Sequence, residues 1–182
     1  MMKAYVLREI KQFKMEEVER PEIKDGEVLV QVMAAGICGS DIPRAYQTGA
    51  HVHPIVIGHE FSGKVVSLGG GTDAKWLDKP VGVFPLIPCK KCGPCRNKQY
   101  EMCRNYNYLG SRRDGGFAEY VAVPQECLIE LPDGVSYESA AMLEPMAVAV
   151  HAIRGIGVLE QDRVVVCGLG TIGLFLRYRK CF

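Results

Sequence analysis

Over the first 130 residues apolar positions recur with a period of two, in short runs separated by turn-forming residues. In 27–35 Val28, Val30 and Val32 alternate with their neighbours, and the apolar runs 62–68, 81–87, 118–123 and 127–131 follow. Period-two runs bounded by Gly, Pro and Asp read as strands. Strand after strand without a regular helix predicts a mainly β, barrel-like domain with a few helices. The pattern then changes. Ser136 can cap a helix carrying Ala140 to Leu143, and Pro145 can open another at its first position, covering Met146 to Ile153. The run 163–167 (Arg-Val-Val-Val-Cys) has the continuous apolar character of a buried parallel strand.

That run leads into Gly168-Leu-Gly170-Thr171-Ile172-Gly173. A strand followed by G-x-G-x-x-G and an apolar helix start is the pattern that receives a dinucleotide pyrophosphate. Gly168, Gly170, Thr171, Ile172 and Gly173 are therefore candidate cofactor-binding residues, and a glycine-rich turn of no particular use is the competing reading.

Composition narrows the class. An apolar share of 48% with 24% charged residues is that of a water-soluble globule, and a net charge of +1 supplies no basic footprint for nucleic acid or an anionic membrane. The longest uncharged apolar stretch, 164–176, has thirteen residues and three glycines, short of the roughly 18 that a membrane span needs. The N-terminus lacks an apolar signal core, so a reducing, cytoplasmic compartment is expected.

Four cysteines, Cys89, Cys92, Cys95 and Cys103, fall in a Pro/Gly-broken stretch (88–104) with C-x2-C-x2-C-x7-C spacing. Such a knuckle brings four thiolates to one tetrahedral zinc and leaves no position for substrate, so the site is structural. An iron-sulfur cluster would favour a C-x3-C-P ending, and disulfides would need an oxidising compartment.

Candidates for an open metal site are dispersed. Cys38 ends a strand, His59 and Glu60 precede another, and Glu144 stands before Pro145, where an extended backbone would let its carboxylate project. A cysteine, a histidine and a glutamate can hold zinc with one position left for substrate. Taken singly, each has a plain reading as a small buried thiol, a core imidazole or a helix-start charge.

Gly36-Ile-Cys38-Gly-Ser40-Asp41, Gly58-His59-Glu60-Phe61-Ser-Gly63, the four-cysteine lobe, Asp114-Gly115-Gly116-Phe117-Ala118-Glu119-Tyr120, Glu144-Pro145 and the glycine turn together resemble the zinc-dependent medium-chain alcohol and polyol dehydrogenases. The resemblance implies a GroES-like β domain over 1–155 and the first βα unit of a truncated Rossmann domain over 156–182. It also implies two zincs: a catalytic one on Cys38, His59 and Glu144, with Glu60 as an alternate or supporting carboxylate, and a structural one on the four cysteines. NAD or NADP would accept hydride from a secondary hydroxyl of a sugar alcohol or its phosphate, and Ser40 would relay the proton unless it is only a helix cap. The full-length parent would be a homo-oligomer. Arg44, His51, Ser111, Arg112 and Arg113 are candidate substrate contacts, since guanidinium forks suit phosphate oxygens; two loop arginines are more often a solvated pair.

The residue that grips the adenosine ribose lies about 20 positions past the glycines, and the polar 177–182 does not continue an apolar helix. A truncated or frameshifted chain with little activity of its own is therefore expected. An inactive zinc-stabilised β module is the alternative, and threonine or simple alcohol dehydrogenases share the metal motifs.

Overall fold

The computed structural model describes residues 1–159 and 161–177; the expectation for the polar tail lies outside these beyond Arg177. An N-terminal hairpin of β1 (Met2–Glu9) and β2 (Gln12–Val18) forms a three-stranded sheet with β4 (Ile55–Val56), in the order β2-β1-β4. Met2, Ala4 and Val6 turn one face of β1 inward. Strand β2 sits at the edge with mostly exposed side chains, which is why its polar sequence carried no strand signal.

The main sheet has five antiparallel strands. With β3 (Glu27–Gly36), β5 (Glu60–Leu68), β6 (Pro80–Val83), β9 (Tyr120–Pro124) and β10 (Leu128–Glu130), the order is β10-β6-β5-β3-β9. Val28, Val30, Phe61, Val65, Val81, Val121 and Val123 fill its interior. The run 81–87 splits at Phe84-Pro85, because Pro85 has no N–H for a ladder. The second piece, β7 (Leu86–Ile87), pairs instead with β8 (Asn107–Tyr108).

Helices are few: α1 (Asp41–Pro43), continued by a π-type turn Arg44–Thr48, then α2 (Gly93–Arg96), α3 (Tyr137–Ala141), α4 (Leu143–Ile156) and α5 (Thr171–Arg177). The Ser136 hydroxyl accepts the Ser139 N–H at 3.2 Å and caps α3.

Two expectations need correction. Glu144 is not extended at a helix break, because α4 begins at Leu143 and holds both Glu144 and Pro145 in its first turn. Amide groups there have no intrahelical partner, so proline forfeits no bond, and the Met146 N–H reaches the Met142 carbonyl across it at 3.0 Å. The run 163–167 is not a strand. A parallel strand takes its hydrogen bonds from neighbours, and none lies beside it among the described residues; Val165 stands 86% exposed.

Candidate metal centres

Four sulfurs converge in the 88–104 stretch. Cys89, Cys92, Cys95 and Cys103 place their Sγ atoms within 4.8 Å of one another, and none is in a disulfide. The turn of α2 and the following 3₁₀ turn Tyr100–Met102 fold the chain back so that Cys103 meets the first three. The fit to a soft cation lies in the surrounding amides. The Cys89 N–H donates to Cys103 Sγ at 3.2 Å, and backbone N–H groups of Arg104 and Cys95 stabilise the Cys92 thiolate, lowering that thiol to about 6. Burial and the neighbouring sulfurs push Cys95 the other way, to about 12. Four converging sulfurs with backbone N–H donors aimed at them suit a divalent ion, which takes them as thiolates.

The second group is Cys38, His59 and Glu60, whose ligand atoms also lie within 4.8 Å of one another. Strand register explains the grouping. The antiparallel β3–β5 ladder sets Gly36 opposite Glu60, so the carboxylate after His59 faces the turn holding Cys38. Gly36 has no side chain to occupy that space: a Cβ there would lie 2.5 Å from Glu60 Oε2. His59 and Glu60 are both 5% exposed. Burial pushes the Glu60 carboxyl upward, against the opposing effect of His59. An acidic group made costly to ionise, beside a thiol and an imidazole, is again a donor set that a cation would satisfy.

Asp41 organises this centre. Buried at the start of α1, it accepts the Cys38 N–H at 3.0 Å and the Arg44 guanidinium at 2.7 Å. Its Oδ1 lies 3.5 Å from His59 Nδ1, a contact that does not meet hydrogen-bond geometry, since that nitrogen has no partner. Ser40 makes no side-chain cap bond; its hydroxyl donates to Cys38 Sγ at 3.3 Å.

Glu144 lies outside the trio. The Tyr108 hydroxyl donates to Glu144 Oε1 at 3.0 Å, and the Tyr108 ring stands edge-on to His59 with centroids 5.9 Å apart. Burial first, and then the Glu144 charge, raise the Tyr108 phenol well above its ordinary range, so it remains a donor.

The substrate candidates are scattered. Arg113 donates to Glu27 at 2.8 Å and to the Ala122 carbonyl at 3.1 Å. It lines a concavity of about 520 Å³ that includes none of Cys38, His59 and Glu60. Arg112 stacks on Tyr106 at 4.5 Å and leaves its Nε buried without a partner. Ser111 is buried and His51 exposed; Arg44 is engaged by Asp41.

Sequence reasoning missed Tyr108 and the seam beneath it. The Gly115, Gly116 and Phe117 amides donate to the carbonyls of Val56, Gly58 and Ile57, and Asp114 accepts the Val56 N–H at 2.8 Å. Gly58 has φ 95°, its missing side chain replaced by the Phe117 ring, while Gly110 and Gly115 press on its carbonyl. The glycine-rich spacing of 110–116 was the available signal. At the C-terminal end, Gly168 has φ 106°, and a Cβ on Gly173 would collide with the Gly168 carbonyl, so the turn packs tightly against the first turn of α5.

An antiparallel β domain with a four-thiolate lobe and a Cys-His-Glu centre defines a class. Residues 24–133 match the alcohol dehydrogenase GroES-like domain, and the chain belongs to that family. Among individual proteins it is 43% identical over 155 residues to galactitol 1-phosphate 5-dehydrogenase of Escherichia coli K12, covering 85% of this chain and 45% of that one. It is 33% identical over 180 residues to sorbitol dehydrogenase of Bacillus subtilis 168, covering 95% and 50%. The crystal structure of galactitol-1-phosphate dehydrogenase from Escherichia coli superposes with a TM-score of 0.90 at 40% identity, over 96% of this chain and 51% of that chain. The chain thus spans about half the length of the relatives it matches.

Proposed function

We propose that this chain forms the zinc-bearing half of a dehydrogenase that oxidises a secondary hydroxyl of a sugar alcohol or sugar-alcohol phosphate with NAD(P). The observation that carries the reading is the convergence of Cys38, His59 and Glu60 beside a separate four-cysteine lobe. Cys89, Cys92, Cys95 and Cys103 would hold a structural zinc; Cys38 and His59, with Glu60 or Glu144 as the carboxylate, would hold a catalytic one. A zinc at the trio would supply Lewis-acid polarisation of the substrate hydroxyl, and a nicotinamide held over Gly168, Gly170, Thr171, Ile172 and Gly173 would supply the hydride acceptor.

The chain's own groups do the rest. Asp41 fixes the Cys38 turn and faces His59, and Arg44 neutralises Asp41. Ser40, exposed and beside Cys38, is placed to carry the hydroxyl proton to solvent. Arg112, stacked on Tyr106, is the remaining loop arginine for a phosphate; Arg113 is committed to Glu27. Because 163–167 has no sheet partners among the described residues, the 182 residues alone are expected to bind two zincs yet turn over poorly. A small polyol is the partner expected, in a homo-oligomer.

The test is a chimera. Joining residues 1–155 to the nicotinamide-binding half of the Escherichia coli relative should give NAD(P)-dependent polyol oxidation that Cys38→Ser abolishes. A folded chimera with two zincs and no activity on any polyol or polyol phosphate would overturn the reading. Robust turnover by the 182 residues alone would overturn the expectation of low activity.

A further inference from the structure

We propose that Arg44 is a positioning residue that acts through Asp41: by gripping one oxygen of that carboxylate it holds Asp41 where it can serve Cys38 and His59 together, and so raises the affinity of their centre for a metal. The inference rests on the metal reading of Cys38, His59 and Glu60. Cys38 follows β3 and His59 immediately precedes β5, so something must fix one against the other. Asp41 touches both sides. Its Oδ2 accepts the Cys38 N–H at 3.0 Å, and its Oδ1 stands 3.5 Å from His59 Nδ1, a buried nitrogen without a hydrogen-bond partner. An imidazole that ligates a metal is oriented by donating its other N–H to a carboxylate. At 3.5 Å the Asp41 oxygen is about 0.3 Å beyond hydrogen-bond reach.

Asp41 would not hold that place unaided. Its side chain is 3% exposed, a buried carboxylate without a counter-charge is costly, and turning toward water relieves the cost. Arg44 removes the incentive. Its Nη1 donates to Oδ1 at 2.7 Å, and Oδ1 is the oxygen that faces His59. The spacing of three residues puts the two side chains on one face of the helical segment, and the arginine side chain, 18% exposed, shields the pair from solvent. Its backbone is anchored as well. Arg44 opens the π-type turn Arg44–Thr48, and the next residue, buried Ala45, accepts the Lys11 N–H at 2.8 Å from the turn between β1 and β2. An arginine that served only to stabilise the fold would leave metal affinity alone when removed; a positioning arginine changes it, and only by way of Asp41.

The probe is Co²⁺ alone, titrated into the metal-free 182-residue chain against a competing chelator, with thermal unfolding as the measure of folding in each variant. Cys38→Ser identifies the equivalent bound at the trio, since it should abolish that one and spare the lobe. Arg44→Met should weaken the trio's equivalent by at least about tenfold, the lower end of what outer contacts contribute to metal affinity, and leave the lobe's unchanged. Arg44→Lys, which keeps a cation within reach of Asp41, should recover most of the loss. Asp41→Asn should weaken the same equivalent, and Asp41→Asn/Arg44→Met should be no worse than Asp41→Asn alone, because the two residues act as one unit. The double variant leaves no buried charge unpaired, so it and Arg44→Gln carry the test if Arg44→Met does not fold. Unchanged affinity in folded Arg44→Met, an equal loss at the lobe, or losses that multiply in the double variant overturn the inference and leave the metal reading intact. Binding of one cobalt per chain, or of two that both survive Cys38→Ser, overturns both.

Discussion

Gly36→Ala tests the proposal that Glu60 is a metal ligand, with little disturbance elsewhere. Gly36 does not have a left-handed backbone, so alanine suits the strand, where it gains about 0.5–1 kcal/mol over glycine. Its new methyl would lie 2.5 Å from Glu60 Oε2 and 3.3 Å from Glu60 Cβ. To reach ordinary contact the carboxylate must move by roughly 1 Å. That movement is cheap for a flexible side chain, but a zinc–oxygen bond tolerates only about 0.2 Å. Net stability should therefore change by less than about 1 kcal/mol. Affinity for the second metal should fall by at least about a hundredfold, near 3 kcal/mol at 1.4 kcal/mol per decade. The assay is a cobalt titration with a competing chelator, paired with thermal unfolding. A folded Gly36→Ala chain whose second metal binds as tightly as before would refute Glu60 as a ligand.

The other predictions concern the lobe, a buried thiol and an arginine. Chelation of the lobe metal, or Cys103→Ala, should cost stability on the order of 10 kcal/mol at most, the scale of zinc binding to small finger peptides; a melting curve indifferent to chelator contradicts this. Burial first, with the Glu126 charge adding, pushes the Cys127 thiol up to about 12. Its folded pKa thus lies above the unfolded value near 8.5; the neutral thiol's contribution is complete below that pH and lost as pH rises toward the folded value. Iodoacetamide at pH 8 should modify Cys127 only after unfolding, and mass spectrometry of the labelled peptide would show otherwise. Arg113→Ala strands the buried Glu27 carboxylate and should cost about 2 kcal/mol, lowering turnover of an active chimera equally on phosphorylated and plain polyols; a selective loss on the phosphate would restore Arg113 as a substrate contact.

The parts legible in the sequence were those carried by local spacing. The cysteine knuckle needs only short gaps to close, Ser136 caps within three residues, and Val28, Val30 and Val32 show their inward face by alternation. What was not legible depended on register and distance. Whether Glu60 or Glu144 sits beside Cys38 is decided by Gly36 pairing with Glu60 across two strands. Arg113 looked free because Glu27 is 86 positions away. Tyr108 carried no motif, and its importance comes from facing Glu144 and His59 in space. The apolar run 163–167 read as a strand because composition records hydrophobicity, whereas a strand also needs neighbours.

The seam in which residues 114–117 hydrogen-bond to 56–58 limits how this protein can change. Gly110, Gly115 and the Phe117 ring fill the space around Gly58, immediately before His59. An insertion anywhere in 110–116 would shift the backbone that seats the histidine, so loop length and metal geometry cannot vary independently. New substrate preferences must therefore arise by exchanging side chains on a loop of fixed path. Under the polyol reading proposed above, a library aimed at new substrates would randomise Ser111 and Arg112 and leave the loop's length untouched.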